Sequence, residues 1–115
     1  SNGFGRNLVL LHHKGAKTGT ERVTPLMAQV DGERIYVFAS KAGAPDNPAW
    51  YHNVMAHPDA TIEVGDDVVE VRAVEVTGAE RDRLYAQQAE LYPGFAEYEQ
   101  KTTRTIPVVA LVPRA

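Results

Sequence analysis

The chain has 115 residues, of which 43% are apolar and 23% are charged, a balance that is ordinary for one globular domain. It contains no cysteine, so disulfide scaffolds, cysteine nucleophiles, iron–sulfur clusters and thiolate metal sites are excluded. The net charge of −3 is unevenly distributed, since residues 1–41 carry six Lys or Arg against three Asp or Glu and the remainder is acidic. This distribution argues against general nucleic-acid binding and leaves two interpretations, a local anion site or a chance scatter of solvated charges.

Hydrophobic periodicity and turn residues predict the order β-β-β-α-β-β-α-α-β. Strands are expected at residues 8–11, 22–30, 34–40, 61–64, 68–76 and 106–112, with an Asp31-Gly32 hairpin turn. Helices are expected at residues 49–57, from a capping box at 77–80 to a Pro-Gly break at 93–94, and from 95 to about 102.

Three local features refine these elements. Asn47 suits the N-cap of the first helix and Pro48 its first helical position. The apolar phase of the fifth strand slips at Val74 and Val76, which predicts a β-bulge or a bend. Pro107 within the last strand predicts an edge or barrel-end position.

The order of elements has no regular βαβ alternation, which disfavours a Rossmann sheet and favours a mostly antiparallel β-barrel with flanking helices. Residues 34–40 are apolar on both faces, as expected for a strand covered on both sides. No apolar run approaches the roughly 20 residues that a membrane-spanning helix needs. We therefore expect one domain over residues 3–115, with Ser1 and Asn2 set aside as the remnant of a tag.

A basic stretch, KGAKTGT at residues 14–20, lies between the first two strands and is followed by Arg22. Its glycines let backbone N–H groups approach an anion, and its lysines and threonines add charge and donors. The spacing is not that of a P-loop and no helix follows. The alternative is a plain polar hairpin loop.

A second candidate is the end of the third strand, ASKAG at residues 39–43, just before a capped helix. Free N–H groups and the helix dipole make such a position a frequent anion site. Asn47, Pro48 and Trp50 follow at once. The alternative is that Trp50 and Tyr51 simply pack this helix onto the barrel.

Aromatic residues form a third candidate, since Tyr92, Phe95 and Tyr98 follow one another at intervals of three. The Pro-Gly pair is expected to keep Tyr92 on a separate segment. Such rings can wall a flat cofactor or substrate, and a tyrosine adds a proton donor. A stripe of core residues is the other interpretation.

The four histidines offer no metal site. His12 and His13 should point to opposite faces of a strand, and neither they nor His52 and His57 form an HExxH motif. We therefore expect no metal. A serine hydrolase is likewise unsupported, because the chain has no Gly-x-Ser-x-Gly motif.

Taken in order, these segments resemble the deazaflavin-dependent nitroreductase family of actinobacteria, within the flavin and deazaflavin oxidoreductases that share the FMN-binding-like split β-barrel. The matching pieces span residues 8–113. They are KGAKTG at 14–19 with Arg22 and Pro25-Leu26, ASK at 39–41, NPAWYHN at 47–53, Tyr92-Pro93 and RTIPV at 104–108.

The resemblance implies an enzyme that passes a hydride from reduced coenzyme F420 to a quinone-, enone- or nitro-type organic acceptor. A basic loop would hold the anionic phosphate and oligoglutamate tail of the cofactor. The implied cofactor-binding residues are Lys14, Lys17, Thr18, Gly19, Arg22, Thr24, Pro25, Ala39, Ser40, Lys41, Ala49 and Trp50, with Thr24 and Pro25 facing the ring system. The implied catalytic residues are Ser40, Tyr92 and Tyr98, which would line the acceptor pocket. The proton would come from Tyr92, from Tyr98 or from an ordered water.

Three residues depart from the family pattern. Ala16 stands where a relative can carry a second basic residue, which predicts weaker affinity for the tail. Met27 and Phe95 stand where nitroimidazole-reducing relatives can carry tyrosine. The hypothesis that follows is a deazaflavin reductase with weak or altered nitroreductase activity.

Three alternatives remain open at this point. One is a split-barrel oxidoreductase that uses FMN, and the second is a carrier that binds F420 without catalysis. The third is a barrel that binds neither cofactor and mediates interactions. For all of them a cytoplasmic location is expected, with contact to the inner face of the membrane only through an N-terminal segment absent from this chain.

Overall fold

In a computed structural model, residues 8–31 and 34–114 are described, and they form six strands, three α-helices and one 3-10 turn. The strands are β1 (Leu8–Lys14), β2 (Glu21–Asp31), β3 (Arg34–Phe38), β4 (Asp59–Val64), β5 (Asp67–Val76) and β6 (Val108–Pro113). The helices are α1 (Ala49–Ala56), α2 (Gly78–Leu91) and α3 (Gly94–Lys101), and the 3-10 turn is Lys41–Gly43. The predicted order of elements is confirmed, whereas Gly32 of the predicted hairpin turn lies outside the described residues.

The strands close into a barrel in the order β1-β2-β3-β6-β5-β4, and every neighbouring pair is antiparallel. The predicted fold class, a mostly antiparallel barrel with flanking helices, is therefore confirmed. Because neighbours alternate in direction, the C-terminal ends of β1, β3 and β5 meet the N-terminal ends of β2, β4 and β6. We call this the upper end of the barrel. It carries three connections, at residues 15–20, 39–58 and 77–107.

One hydrophobic core fills the barrel, because alternate residues of each strand point inward. Val9, Leu11 and Val37 are completely buried there. Helix α1 closes the upper end by inserting Trp50 and Val54, which are 5% and 0% exposed. The helix is therefore part of the barrel core rather than a surface attachment.

A second core lies outside the barrel, between the outer faces of β3 and β6 and the helices α2 and α3. Tyr36 and Phe38 point outward from β3 and are 4% and 5% exposed, under Leu84 and Tyr85 of α2. The prediction that this strand is covered on both faces is confirmed, since its other residues face the barrel interior.

The barrel is split on one side of its upper end. β2 pairs with β1 along residues 21–27, but it pairs with β3 only along residues 28–31. Beyond Phe38 the chain follows the residues before β6 instead, and the Ala39 amide donates to the Pro107 carbonyl at 2.9 Å. Among the described residues, positions 21–27 of β2 thus have an edge without a strand partner on the β3 side. We call it the split edge.

The predicted start of α1 at residue 49 is confirmed, but its predicted capping is wrong. Pro48 is the N-cap, with φ −69° and ψ 156°, and Ala49 is the first helical residue. The Asn47 side chain makes no cap, because its oxygen accepts a 2.7 Å hydrogen bond from Arg104. The preference of asparagine for the N-cap position was therefore overridden by the contact between Asn47 and Arg104.

The predicted bulge in β5 is wrong. The registers with β4 and β6 run without interruption across the strand. The apolar phase changes because Val76 faces outward into the second core, whereas Val74 on the same face is 46% exposed. Pro107 lies just before β6, so its predicted barrel-end position is confirmed, but β6 lies between β3 and β5 and is no edge.

Candidate functional site

The basic loop is a tight, self-bonded turn at the upper end. The Gly15 amide donates to the Thr20 carbonyl and the Gly19 amide to the Gly15 carbonyl, both at 2.9 Å. Gly19 has φ +72°, a conformation that glycine adopts at little cost. Because these amides are engaged within the protein, an anion would be met mainly by the side chains of Lys14 and Lys17, which are exposed.

Gly15 leaves room for a small cationic cradle. A Cβ at this position would lie 2.7 Å from Thr18 Oγ1 and 3.7 Å from Arg22 Nε, so any side chain would displace one of them. The carboxylate of Glu21 is turned away toward His12, 3.2 Å from the imidazole Nδ1. The loop therefore concentrates hydroxyl and guanidinium donors without a carboxylate aimed at them.

A buried amide network attaches this loop to the barrel. The Ala16 amide donates to Asn53 Oδ1 at 2.9 Å, and Asn53 Nδ2 lies 3.0 Å from His13 Nδ1. Since Asn53 Nδ2 can only donate, His13 Nδ1 accepts, and its Nε2–H donates to Thr24 Oγ1 at 2.8 Å. Burial, with a smaller contribution from Arg22, lowers the pKa of His13 and favours this neutral form.

The segment at residues 39–47 borders the split from the β3 side. It contains Lys41, the one non-glycine residue with positive φ (47°) among the described residues, and the 3-10 turn that packs on α3. Lys41 Nζ lies 3.4 Å from Asp46. The guanidinium of Arg104 reaches into this segment from the connection before β6.

The aromatic candidates form one continuous wall. The ring of Phe95 lies between those of Tyr92 and Tyr98, with centroid distances of 6.4 and 5.2 Å. A Cβ at Gly94 would lie 3.8 Å from Tyr98 Oη, so this hydroxyl folds back toward the start of α3. Tyr92 and Tyr98 are each half-buried, which fits both a core role and a binding role.

In two pairs of neighbouring predicted residues, the structure turns the side chains to different sides. Thr24 points into the barrel and Pro25, the next residue, points outward and is exposed, so their side chains cannot both face a ring on the same side. Trp50 lies inside the barrel core, whereas Ala49 is exposed beside it. Met27 shares the outer face of β2 with Pro25.

Sequence reasoning assigned no role to Asn53, His13 or Arg104, although all three make polar contacts that shape the site. The signal available was weak. His13 and Asn53 are polar residues at positions where the strand and helix patterns require burial, and such residues need partners.

Other titratable groups lie away from the split. Burial and a 2.7 Å hydrogen bond to Glu75 raise the pKa of Tyr51 to about 12. Within residues 8–31 and 34–114, no group of three or more His, Asp or Glu side chains is placed to bind a metal ion. None of the described helices is both long enough and apolar enough to cross a membrane.

A groove of about 480 Å³ lies on the outer face of β3, β6 and β5. Val74, Val76 and Val112 line it, and none of the predicted site residues does. This groove therefore lies apart from the residues that the sequence predicts for the site.

The architecture defines a class of protein: a six-stranded antiparallel barrel, split beside a cationic loop and walled by aromatic residues, is the split β-barrel of flavin- and deazaflavin-dependent oxidoreductases. The family model for F420H(2)-dependent quinone reductases matches residues 3–113. The chain belongs to this family. The expectations of an oxidoreductase and of coenzyme F420 as its cofactor are thereby confirmed.

Two relatives from Mycobacterium tuberculosis support the assignment. The F420H(2)-dependent quinone reductase Rv1261c is 40% identical over 109 residues, which are 92% of this chain and 73% of the relative. A second protein, Rv3178, is 39% identical over 106 residues, which are 92% of this chain and 89% of the relative.

Solved structures agree. An F420-H2 dependent reductase (FDR-A) superposes with a TM-score of 0.83 at 40% identity, covering 92% of this chain and 94% of that one. A haem storage protein of Vibrio cholerae, HutZ, superposes with a TM-score of 0.72 at 14% identity, covering 96% and 83%. At 14% identity, the similarity to HutZ shows the fold alone.

Proposed function

We propose that this chain reduces quinones with F420H2 bound along the split edge. The observation that carries the proposal is the placement of the cationic loop at one end of an unpaired strand edge. Lys17 lies in that loop and Arg22 near the start of the edge, Thr18 packs over Gly15 beside Arg22, and Lys14 ends the neighbouring strand β1. A long polyanionic tail needs such a basic surface, and it explains why a net acidic protein carries one.

The remaining predicted contacts follow from the walls of the split. Pro25 and Met27 offer an apolar outer face on β2, and Ser40 and Lys41 stand on the opposite wall. Thr24 would contribute to the cofactor site through its backbone, which lies on the split edge, and its side chain is hydrogen-bonded to His13. Ala49 and Trp50 support the upper end from α1, with Trp50 acting from inside the barrel.

For the chemistry, a bound reduced deazaflavin supplies a hydride from its C5 carbon, and reduction of a quinone to the hydroquinone also consumes one proton. We propose that Tyr98, Tyr92 and Ser40 supply that proton and orient the acceptor. Their hydroxyls are the proton-bearing groups among the residues that the resemblance implies for the acceptor pocket, and all three residues are half-buried. The wall also keeps water from the reacting atoms.

A second acceptor class is disfavoured by two side chains. Met27 on β2 and Phe95 in the aromatic wall carry no hydroxyl where nitroimidazole-reducing relatives can have one. We infer that nitro compounds are poorer acceptors than quinones. Residues 3–115 act as one domain in this proposal, in the cytoplasm, with a small molecule rather than nucleic acid as partner.

Binding of oxidised F420 and of FMN, followed separately by fluorescence, tests the proposal. F420 should bind and FMN should not. Arg22→Ala should weaken F420 binding about tenfold, because a charge-assisted hydrogen bond to an anion contributes about 1.5 kcal/mol. Arg83→Ala is the matched control, since Arg83 is an exposed arginine on α2 paired with Glu80.

The outcomes separate the alternatives. Binding of FMN alone would keep the fold and replace the cofactor. An equal loss of F420 affinity in the Arg22 and Arg83 variants would show that the tail does not lie on the basic loop. A steep fall in affinity with salt for the wild type, reduced in Arg22→Ala, would support the tail contact.

A further inference from the structure

A single guanidinium spans the segment that borders the split. Arg104 Nε donates to the Ala44 carbonyl at 2.9 Å and Nη2 to the Ser40 carbonyl at 2.8 Å. Its Nη1 donates to the Ala39 carbonyl at 3.1 Å and to Asn47 Oδ1 at 2.7 Å. All four acceptors belong to residues 39–47, which are separated from Arg104 by more than fifty positions in the sequence.

Besides Arg104, this segment is held by the two backbone hydrogen bonds of its 3-10 turn, from the Gly43 amide to the Ser40 carbonyl and from the Ala44 amide to the Lys41 carbonyl. It leaves β3 at Phe38 and reaches α1 at Ala49 with only a 3-10 turn between them. Lys41 is held at φ 47°, which a non-glycine residue keeps only when its surroundings determine it. The carbonyls of Ala39 and Ser40, on the residues just before it, are the ones that Arg104 binds.

The segment is also packed closely against α3. A Cβ at Gly43 would lie 2.9 Å from Lys101 Cβ and 3.0 Å from the Tyr98 carbonyl oxygen. Movement of residues 39–47 would therefore disturb the helix that carries the aromatic wall. Arg104 follows this helix in the chain and bonds back to the segment, so it connects the two walls of one site.

We propose that Arg104 is a positioning residue for the cofactor. It fixes the backbone of residues 39–47 so that Ser40 and Lys41 face the split edge in one conformation. The inference rests on the proposed function, in which these two residues contact F420. Arg104 itself does not need to touch the cofactor, because its donors are already directed at the segment.

The charge of the guanidinium adds to this role. Its four acceptors are three carbonyls and one amide oxygen, all of them neutral. Asp46, the acidic residue within the segment, lies instead near Lys41. A positive charge thus remains beside the split, where it favours an anionic ligand. Lysine at this position would keep the charge but cannot make the planar, four-acceptor contact.

Three variants of the full chain test the proposal. Arg104→Met removes both charge and contacts, and Arg104→Lys keeps the charge alone. Arg81→Met is the matched control, because Arg81 is also buried and donates to a carbonyl of the same connection, that of Ile106, at 3.0 and 2.9 Å. Its guanidinium faces α2 and α3 rather than residues 39–47.

We expect Arg104→Met to raise the Kd for oxidised F420 and the KM for F420H2 by about tenfold or more. Arg104→Lys should recover only a minor part of that loss. Added guanidinium at millimolar concentration should restore affinity to an Arg104→Ala variant. Arg81→Met should lower the unfolding midpoint in urea while leaving the Kd for F420 within about twofold.

Two results would overturn the proposal: an unchanged Kd in Arg104→Met, or equal changes of Kd in the Arg104 and Arg81 variants. If Arg104→Met does not fold, Asn47→Ala takes its place, because it removes one of the four acceptors. An unchanged Kd for F420 in both Asn47→Ala and Arg104→Lys would then overturn the proposal. Failure of the wild type to bind F420 would instead refute the proposed function, which is a distinguishable outcome.

Discussion

Two buried side-chain amides in this protein differ in their hydrogen bonding. We therefore expect opposite changes in the free energy of unfolding when each is replaced by an apolar group. Both atoms of the Asn53 amide are hydrogen-bonded, to the Ala16 N–H and to His13 Nδ1. Neither atom of the Gln88 amide has a partner among the described residues, although Gln88 lies on the buried face of α2 and is completely buried. Asn53→Leu and Gln88→Met replace each amide with an apolar group of similar size.

The expected magnitudes follow from the groups that remain. In Asn53→Leu, the Ala16 N–H lies in an exposed loop and can bond to water, which costs about 1 kcal/mol. The Nδ1 of His13, a residue that is 4% exposed, is left without a donor, which costs a further 1 to 3 kcal/mol, roughly. We expect a destabilisation of about 2 to 4 kcal/mol. Gln88→Met removes a buried, unpaired amide and should stabilise by about 1 to 2 kcal/mol.

Urea unfolding measures both effects. The single tryptophan, Trp50, lies in the barrel core and reports unfolding by its fluorescence. The midpoints should move in opposite directions with the slope m unchanged. His52→Ala, an exposed neighbour of Asn53, is the control and should change stability by less than about 0.5 kcal/mol. A loss of stability in Gln88→Met would refute the reasoning, because it would show that this amide is satisfied in the native state.

Three further predictions concern single positions. Gly43→Ala should destabilise the fold by about 2 kcal/mol or more, and Gly65→Ala by about 1 kcal/mol. Both glycines have positive φ, but only the Cβ added at Gly43 would clash with α3. Equal urea midpoints for the two variants would contradict this prediction. The hydrogen bond to Glu63 raises the pKa of His12 above 6.5, so His12 stabilises the fold below that pH and the contribution is lost as pH rises through the raised pKa. The difference in Tm between wild type and His12→Ala should therefore be large at pH 5.5 and small at pH 8.5, and a constant difference would refute it. Phe95→Tyr should increase turnover of a nitroimidazole relative to a naphthoquinone, and an unchanged ratio would refute the role given to that side chain.

The barrel could be predicted from sequence because its signals are local. Period-two patterns and turn residues locate each strand, and the lack of βαβ alternation selects an antiparallel arrangement. The split could not be predicted this way, since it depends on which strand borders residues 21–27 of β2, a question of long-range pairing. The assumed bulge at Val74 and Val76 failed for a related reason: Val76 packs into the second core while Val74 stays exposed, and the pattern alone cannot tell such cover from curvature.

The candidate site residues stay a prediction, but some of the contacts around them could be anticipated from the sequence and others could not. The glycines and lysines of the basic loop can be recognised because their chemistry is confined to seven consecutive residues. Asn47 was misassigned as a helix cap because its true partner, Arg104, lies 57 positions away in sequence. His13 and Asn53 were missed for the same reason, since their partners come from three different elements. Alternation did place His12 and His13 on opposite faces, as the structure confirms.

Oxidation of F420H2 in the presence of a naphthoquinone tests the central claim most directly. The recovery of oxidised F420 fluorescence would be followed with and without the protein, and with reduced FMN and NADPH as alternative donors. The account predicts protein-dependent oxidation of F420H2 that requires the quinone, with no comparable rate from the other two donors. An F420H2 oxidation rate no higher than that of the protein-free mixture would contradict the central claim. A protein-dependent oxidation of reduced FMN that is faster than that of F420H2 would contradict it as well.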